Sequence, residues 1–219
     1  MFLLVAKLCV VEVKKIKIKI CGITNLEDAH DAVKFGADAL GFIFFPGSPR
    51  FIEFTDARAI VSSIPPFVAK IGLFVNPSRD IVEDCIKNVG IDTLQFHGDE
   101  SSEFCSIFGL PWIKTISVDA KTDIKKKAAQ YENASAYLFD TKKSDSFGGT
   151  GQVFDWNVIP KDLTKPIILA GGLRIENIED AVKIPELYAV DVCSGVEQEK
   201  GKKSKMLMHD FIEKVRRIN

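Results

Sequence analysis

The chain is predicted to fold as a single (β/α)8 barrel, the α/β architecture called a TIM barrel. Three observations carry that prediction. Eight short runs rich in Val, Ile, Leu and Phe alternate with helix-like stretches. The runs begin roughly every twenty to thirty residues, the length of one β-α unit. No Pro- or Ser-rich linker divides the 219 residues, and 46% hydrophobic with 27% charged residues is a globular composition with enough chain for a large core. The competing fold is an open doubly wound sheet, which carries a glycine fingerprint after its first strand. Here that turn reads Cys21-Gly22-Ile23-Thr24 and lacks the fingerprint.

The apolar runs cover residues 15–21, 39–44, 67–75, 93–96, 112–115, 136–140, 166–170 and 188–192, bounded by Gly, Pro, Asp or Asn. In the first, Ile16, Ile18 and Ile20 alternate, as strand residues sharing one face do. The helix that follows, 26–35, repeats Leu26, Ala29, Ala32 and Val33 at helical spacing. Thr24-x-x-Glu27 reads as a capping box at its start. Thr55 and Ser78 read as further N-caps. Residues 176–183 and 205–217 read as the last two helices. The apolar stretch before residue 16 lacks a basic start, is interrupted by Lys7 and is followed by no small-residue cleavage site. It is also too short to span a bilayer. It is read as an extension packed on the domain or as the product of an upstream start codon. The division is then 1–15 as an extension and 16–219 as the barrel.

A net charge of -1 offers no electrostatic case for nucleic acid or an acidic membrane as partner. The lysine clusters at 125–127 and 202–203 have no interleaved aromatics and read as solvated helix ends. Five cysteines (Cys9, Cys21, Cys85, Cys105, Cys193) are scattered, odd in number and free of CxxC spacing. Neither a disulfide framework nor a zinc site is expected, and the cytoplasm is the predicted compartment.

In a closed barrel all eight strand-to-helix loops border one cavity, so chemistry belongs at the strand ends. Cys21 ends the first strand. Its position leaves catalysis and packing both open, and a basic, phosphate-binding pocket is expected to lower its thiol pKa. Cys85 and Cys105, in helix-like stretches, read as small buried hydrophobes. Arg50 is the only charge in a stiff Pro/Gly loop after strand two, either a surface arginine or a fork for a carboxylate. Gln95 and His97 share strand parity and point inward, in a supporting role. Asp140 ends strand six, either as a turn aspartate or as a general acid with a pKa raised by burial. The loop Phe147-Gly148-Gly149-Thr150-Gly151 reads as a cover for a ligand, with Gly149 among the binding residues. The turns Gly171-Gly172 and Ser194-Gly195 follow strands seven and eight. Small residues there let backbone N–H groups approach a phosphate, which outweighs a purely geometric reading.

The segments KICGITNLEDAHDAVKFGADALGFIFFPGSPRFI, LQFHGDE, LFDTKKSDSFGGTGQVFDW, LAGGLRIENI and AVDVCSGVEQEKGKKS, in that order, resemble the phosphoribosylanthranilate isomerase family of tryptophan biosynthesis. The resemblance runs from about Lys17 to the C-terminus. It implies a (β/α)8 barrel and an Amadori rearrangement of N-(5-phosphoribosyl)anthranilate to 1-(2-carboxyphenylamino)-1-deoxyribulose 5-phosphate. It also implies Cys21 as general base, Asp140 as general acid and Arg50 as ligand of the anthranilate carboxylate. Gly171, Gly172, Ser194 and Gly195 become the phosphate cradle. No cofactor and no metal are expected, because the substrate nitrogen itself serves as the electron sink. The expected partner is the small phosphosugar–anthranilate substrate, and the expected assembly is a monomer or a homodimer. Cys193 departs from the family pattern, where a small residue, often serine, is expected. It lies beside the phosphate site, is open to oxidation, and receives no catalytic role. Asp155 is read as structural, capping the helix after the loop.

Two alternatives compete with this family. The related sugar isomerase of histidine biosynthesis is expected to use aspartate at the first strand end and to bind two phosphates. Cys21 and the loop His97-Gly98-Asp99-Glu100 argue against it. A non-catalytic phosphate-ligand barrel would keep the glycine turns and lose the acid and base, yet both groups are present.

Overall fold

The computed structural model describes residues 15–141 and 154–218. Eight parallel strands close in sequence order. They are β1 (Lys17–Cys21), β2 (Ala39–Ile43), β3 (Ala69–Phe74), β4 (Thr93–Phe96), β5 (Trp112–Val118), β6 (Ala136–Thr141), β7 (Ile167–Leu169) and β8 (Leu187–Val192), and β8 pairs back onto β1. The predicted (β/α)8 barrel is borne out. Among the described residues the helices are α1 (Leu26–Phe35), α2 (Phe54–Val61), α3 (Arg79–Val89), α4 (Ser102–Ser106), α5 (Ile124–Ala128), α6 (Ile178–Ala181) and α7 (Lys205–Ile218). Of the residues between β6 and β7, those described contain one short 3-10 turn, Trp156–Val158. No helix among the described residues is long and apolar enough to cross a membrane. The extension 1–15, apart from Lys15, and the loop holding Gly149 lie outside the described residues.

Strand alternation decides where each side chain goes. One face of each strand meets the helices and buries Ile18, Ile20, Leu40, Phe42, Phe74, Phe96, Leu169 and Val190. Each such side chain contributes roughly 1.5–3 kcal/mol on leaving water. The other face fills the barrel, with Ile71, Ile113, Leu138, Ile168 and Ala189 at mid-height. Cys21, Ile43 and Leu73 form a smaller cluster above them, with Cys193 packed against it.

The edges of several elements move from the sequence expectation, each for a local reason. The cap of α1 is Asn25, whose side chain accepts from Asp28 N at 2.9 Å, so the cap sits one residue later than predicted. Thr24 turns away instead, and its hydroxyl donates to Gly201 O. Thr55 lies inside α2, because pairing of Ile52 N with Ile43 O keeps the chain extended up to the cap at Glu53. Ser78 caps α3 as expected. β5 runs on to Val118, because Ser117 and Val118 still pair with Asp140 and Thr141 of β6. Phe67 is not in β3; its side chain stands 98% exposed in the preceding loop.

One feature has no counterpart in the sequence reading. After β8 a 3-10 turn, Ser194–Val196, leads into a two-stranded ribbon, β9 (Glu197–Glu199) and β10 (Lys202–Lys203), before α7 begins. Gly201, at φ 85°, makes its tight turn. Lys203 is therefore buried rather than solvated at a helix end, and its N–H donates to Asp28 Oδ2 of α1 at 2.8 Å. Arg216 of α7 closes the other side, donating to Ile16 O, Gly36 O and Asp38 Oδ2. Burial opposes charge on Asp38, but the hydrogen bonds from Arg216 and the Ile18 amide prevail and hold its carboxyl below the usual range.

Candidate active site

The strand ends converge on one pocket. Its walls include Cys21, Ile43, Phe45, Arg50, Leu73, Val75, Gln95, His97, Asp140, Gly171, Asp191, Cys193 and Ser194. Most of the predicted site is therefore in one place. Cys21 and Asp140 come from β1 and β6, which stand three strands apart around the closed ring, so the thiol and the carboxyl face each other across the opening.

Beneath Cys21, two residues earlier on the same face of β1, lies Lys19. It is buried, and its Nζ sits 2.8 Å from Asp191 Oδ2 of β8. Gly41 on β2 makes room for this arrangement. A Cβ there would stand 2.9 Å from Cys21 Sγ and 3.0 Å from Lys19 Nζ. The same cation therefore serves both the aspartate and the thiol. Asp191 Oδ1 and Gln95 Oε1 are buried without a hydrogen-bond partner among the described residues, and both residues border the pocket. Buried acceptors of this kind normally find a donor, and a hydroxyl-bearing ligand supplies donors.

Cys21 and Cys193 are electrostatically linked neighbours at the pocket. Their mutual hydrogen bond and burial push the Cys21 thiol well up, and Lys19 works in the opposite direction. The same hydrogen bond pulls the Cys193 thiol down against burial, aided by Lys203 and Arg50. The expectation that a basic pocket lowers Cys21 itself is thus corrected: the cations favour the thiolate on its neighbour Cys193. Cys85 and Cys105 are fully buried packing residues, as expected, and burial pushes the Cys105 thiol up to about 12.

Arg50 presents a fork to a carboxylate, but one from its own chain. Its Nε and Nη2 donate to Glu197 Oε1 and Oε2 at 2.7 and 2.6 Å. Lys203 Nζ, with no exposure, reaches Glu197 Oε1 at 3.0 Å. A guanidinium carries five N–H donors, so the clamp orients Arg50 in the pocket wall and leaves other donors for an anion. Burial opposes ionisation of Glu197, but Arg50 and Lys203 prevail and hold its carboxyl below the usual range.

His97 Nε2 lies 3.5 Å from Asp140 Oδ2. Burial keeps the imidazole pKa below its usual value despite the nearby carboxylate. Gln95 does not bond to His97; its Nε2 donates to Thr115 Oγ1 at 3.2 Å. The His97 loop is held by Glu100, which accepts from Gly98 N, Asn76 N and Lys114 Nζ. Lys114 also donates to Gly98 O at 2.7 Å.

The glycine turns lie side by side above β7 and β8. Gly171 and Gly172 adopt φ of 80° and 74°, and a side chain on Gly171 would overlap Thr141 and Asp140. A Cβ on Gly195 would overlap Leu173 O, so the two turns pack together only without it. Ser194 borders the pocket beside them. Asp155 caps the short turn Trp156–Val158 by accepting from Asn157 N, as expected. Among the described residues no group of three or more His, Cys, Asp or Glu is placed to hold a metal ion.

Sequence reasoning missed Lys19, Asp191, Glu197 and Lys203. Lys19 shares parity with Cys21, a signal available without coordinates; the ribbon that delivers Glu197 and Lys203 gave none.

Comparison with known proteins converges on one family. Residues 18–214 match the family described as N-(5′-phosphoribosyl)anthranilate (PRA) isomerase. The N-(5′-phosphoribosyl)anthranilate isomerase of Hahella chejuensis is 47% identical over 204 residues, 93% of this chain and 96% of that protein. The crystal structure of phosphoribosyl anthranilate isomerase from Thermotoga maritima superposes with a TM-score of 0.85 at 40% identity, covering 92% of this chain and 98% of that one. A crystal structure of phosphoribosyl anthranilate isomerase in complex with reduced 1-(o-carboxyphenylamino)-1-deoxyribulose 5-phosphate gives a TM-score of 0.82 at 38% identity, with coverage of 92% and 98%.

Proposed function

Because the chain belongs to the N-(5′-phosphoribosyl)anthranilate isomerase family, we infer that its pocket works on N-(5′-phosphoribosyl)anthranilate with Cys21 as base and Asp140 as acid. The activity is the Amadori rearrangement of tryptophan biosynthesis, which yields 1-(o-carboxyphenylamino)-1-deoxyribulose 5-phosphate. The observation that carries the assignment of roles is that Cys21, Asp140, Gly171 and Ser194 line one opening, with thiol and carboxyl on opposite sides.

The steps follow from the groups present. The phosphate rests on the glycine turns of β7 and β8, and this fixes the sugar between sulfur and carboxyl. Asp140 gives its proton to the ring oxygen as the bond from that oxygen to C1 breaks, and the nitrogen lone pair forms the iminium. The C2 proton is now acidic and passes to the Cys21 sulfur, leaving an enolamine. Tautomerisation delivers the ketone and closes the electron count, with the substrate nitrogen as the sink. Lys19 is a positioning residue that supports negative charge on Cys21. A phosphate arriving beside Cys193 disfavours a thiolate there. Arg50, oriented by Glu197, meets the anthranilate carboxylate. Gln95 and His97 line the sugar site, and neutral His97 steadies Asp140. Gly149 belongs to a loop outside the described residues and is assigned to the ligand cover.

The enzyme is assigned to the cytoplasm, where free thiols such as Cys21 persist. Phe67, 98% exposed after Pro65 and Pro66 at the end of the barrel away from the pocket, favours the homodimer over the monomer. Sedimentation of the chain and of Phe67→Ser tests this, and an unchanged monomer mass for both refutes it. The role assignment is tested by following loss of phosphoribosylanthranilate fluorescence with purified protein and no added cofactor. Turnover that stops in Cys21→Ala and Asp140→Asn supports the roles, and turnover that survives in either one removes that residue from them.

A further inference from the structure

Cys21 has a sulfur neighbour that isomerisation does not require. β1 and β8 run in parallel with Lys19 opposite Asp191 and Ile20 opposite Val192, so the next positions in that register are Cys21 and Cys193. Neighbouring strands lie about 4.8 Å apart, within the span of about 4.4–6.8 Å between α-carbons that a disulfide bridges. The side-chain direction is set two residues below, where Lys19 and Asp191 meet inside the barrel at 2.8 Å. Cys21 and Cys193 keep that parity, and both line the pocket.

Their surroundings divide the labour. Cys21 is buried, whereas Cys193 is half-buried at the opening. Lys203 Nζ donates to Cys193 O at 3.2 Å and stands 3.7 Å from its Sγ, while Arg50 packs close by against Gly22. Cationic neighbours and the hydrogen bond from Cys21 favour the Cys193 thiolate. An accessible thiolate beside a second thiol is the arrangement in which one cysteine is oxidised and the other resolves it. Cys85 and Cys105 lack it, being wholly buried.

We propose that Cys21 and Cys193 form an oxidation site, at which a hydroperoxide joins the two sulfurs in a disulfide and takes the Cys21 sulfur out of catalysis. The Cys193 thiolate attacks the peroxide O–O bond, forming an S–O bond and expelling hydroxide (or alkoxide). Cys21 sulfur then attacks Cys193 sulfur, and the departing hydroxide leaves as water with the Cys21 proton. Two electrons pass from the thiol pair to one peroxide, and a dithiol reductant reverses the change. Loss of activity rests on Cys21 as the base; formation of the bond does not.

The test treats the full chain with about one equivalent of hydrogen peroxide and follows isomerase rate, intact mass and peptide map, before and after dithiothreitol. The rate is expected to fall in step with the loss of two hydrogens, the map to link the Cys21 and Cys193 peptides, and dithiothreitol to restore turnover. Cys193→Ser, judged against its own untreated rate, should lose activity at least about tenfold more slowly. No link between those peptides, a link to Cys9 instead, or reversible inactivation of Cys193→Ser at the wild-type rate overturns the proposal. A linked but fully active protein establishes the bond and refutes Cys21 as the base.

Discussion

Replacing Lys19 by Met removes the cation under Cys21 while keeping the apolar stem that fills the barrel. Cys21 Sγ and Lys19 Nζ each lie within 3.0 Å of the point where a Cβ on Gly41 would stand. They are therefore no more than about 6 Å apart, and a unit charge at about 6 Å with an effective dielectric of about 20 contributes about 3 kcal/mol. That is a factor of about a hundred in an equilibrium. Lys19→Met thus raises the Cys21 thiol further and cuts the thiolate fraction at neutral pH about a hundredfold. The assay is kcat/KM from about pH 7 to 10, which reports the free enzyme's ionisations. The expected result is a loss of about a hundredfold at pH 7, with the alkaline rise of kcat/KM displaced to higher pH. Asp191 is left buried and unpaired, so stability also falls by about 3–5 kcal/mol, and rates are to be taken well below the variant's melting temperature. Lys19→Arg should recover much of the neutral rate. No loss, or an alkaline rise at the wild-type pH, refutes a role for Lys19 in supporting the thiolate.

Asp140→Asn and Cys21→Ala should each lower turnover by at least about a hundredfold, the scale of acid–base residues, as measured by substrate fluorescence; near-wild-type rates contradict the assignment. Arg50→Ala should raise KM for phosphoribosylanthranilate and spare inhibition by inorganic phosphate. It should also lower the melting temperature, because Glu197 and Lys203 lose a partner; equal loss of both ligands refutes the carboxylate role. Glu197 has a carboxyl held below its usual value in the fold. Its stabilising contribution is therefore complete above the unfolded value of about 4.3 and lost as pH falls through the lower folded value. Melting curves of Glu197→Gln should show a weaker fall in that acid range than wild type; an unchanged acid profile refutes the linkage.

The barrel was legible because strand alternation and helix spacing are local signals. Ile16, Ile18 and Ile20 mark one face of β1, and parity alone then sends Cys21, Gln95, His97 and Asp140 inward. Cap positions were less secure, since Thr24 and Asn25 are both good caps and only the contact of Thr24 with Gly201, far along the chain, separates them. Arg50 borders the pocket from the loop after β2, but its Glu197 partner was hidden: a short charged ribbon of Glu and Lys reads as solvated surface until Gly201 folds it back. The Lys19–Asp191 pair needs the register of β1 against β8, a relation between the two ends of the barrel that no window of sequence contains. The same register brings Cys193 against Cys21, which raises the thiol of the residue assigned as base.

The most direct measurement is a crystal structure of this chain with the reduced product analogue, 1-(o-carboxyphenylamino)-1-deoxyribulose 5-phosphate. The sugar is expected between Cys21 Sγ and an Asp140 carboxyl oxygen, on opposite sides of the chain at C2, with the phosphate on the turns at Gly171–Gly172 and Ser194–Gly195. A phosphate bound elsewhere, or a sugar that reaches only one of the two groups, contradicts the acid–base pair.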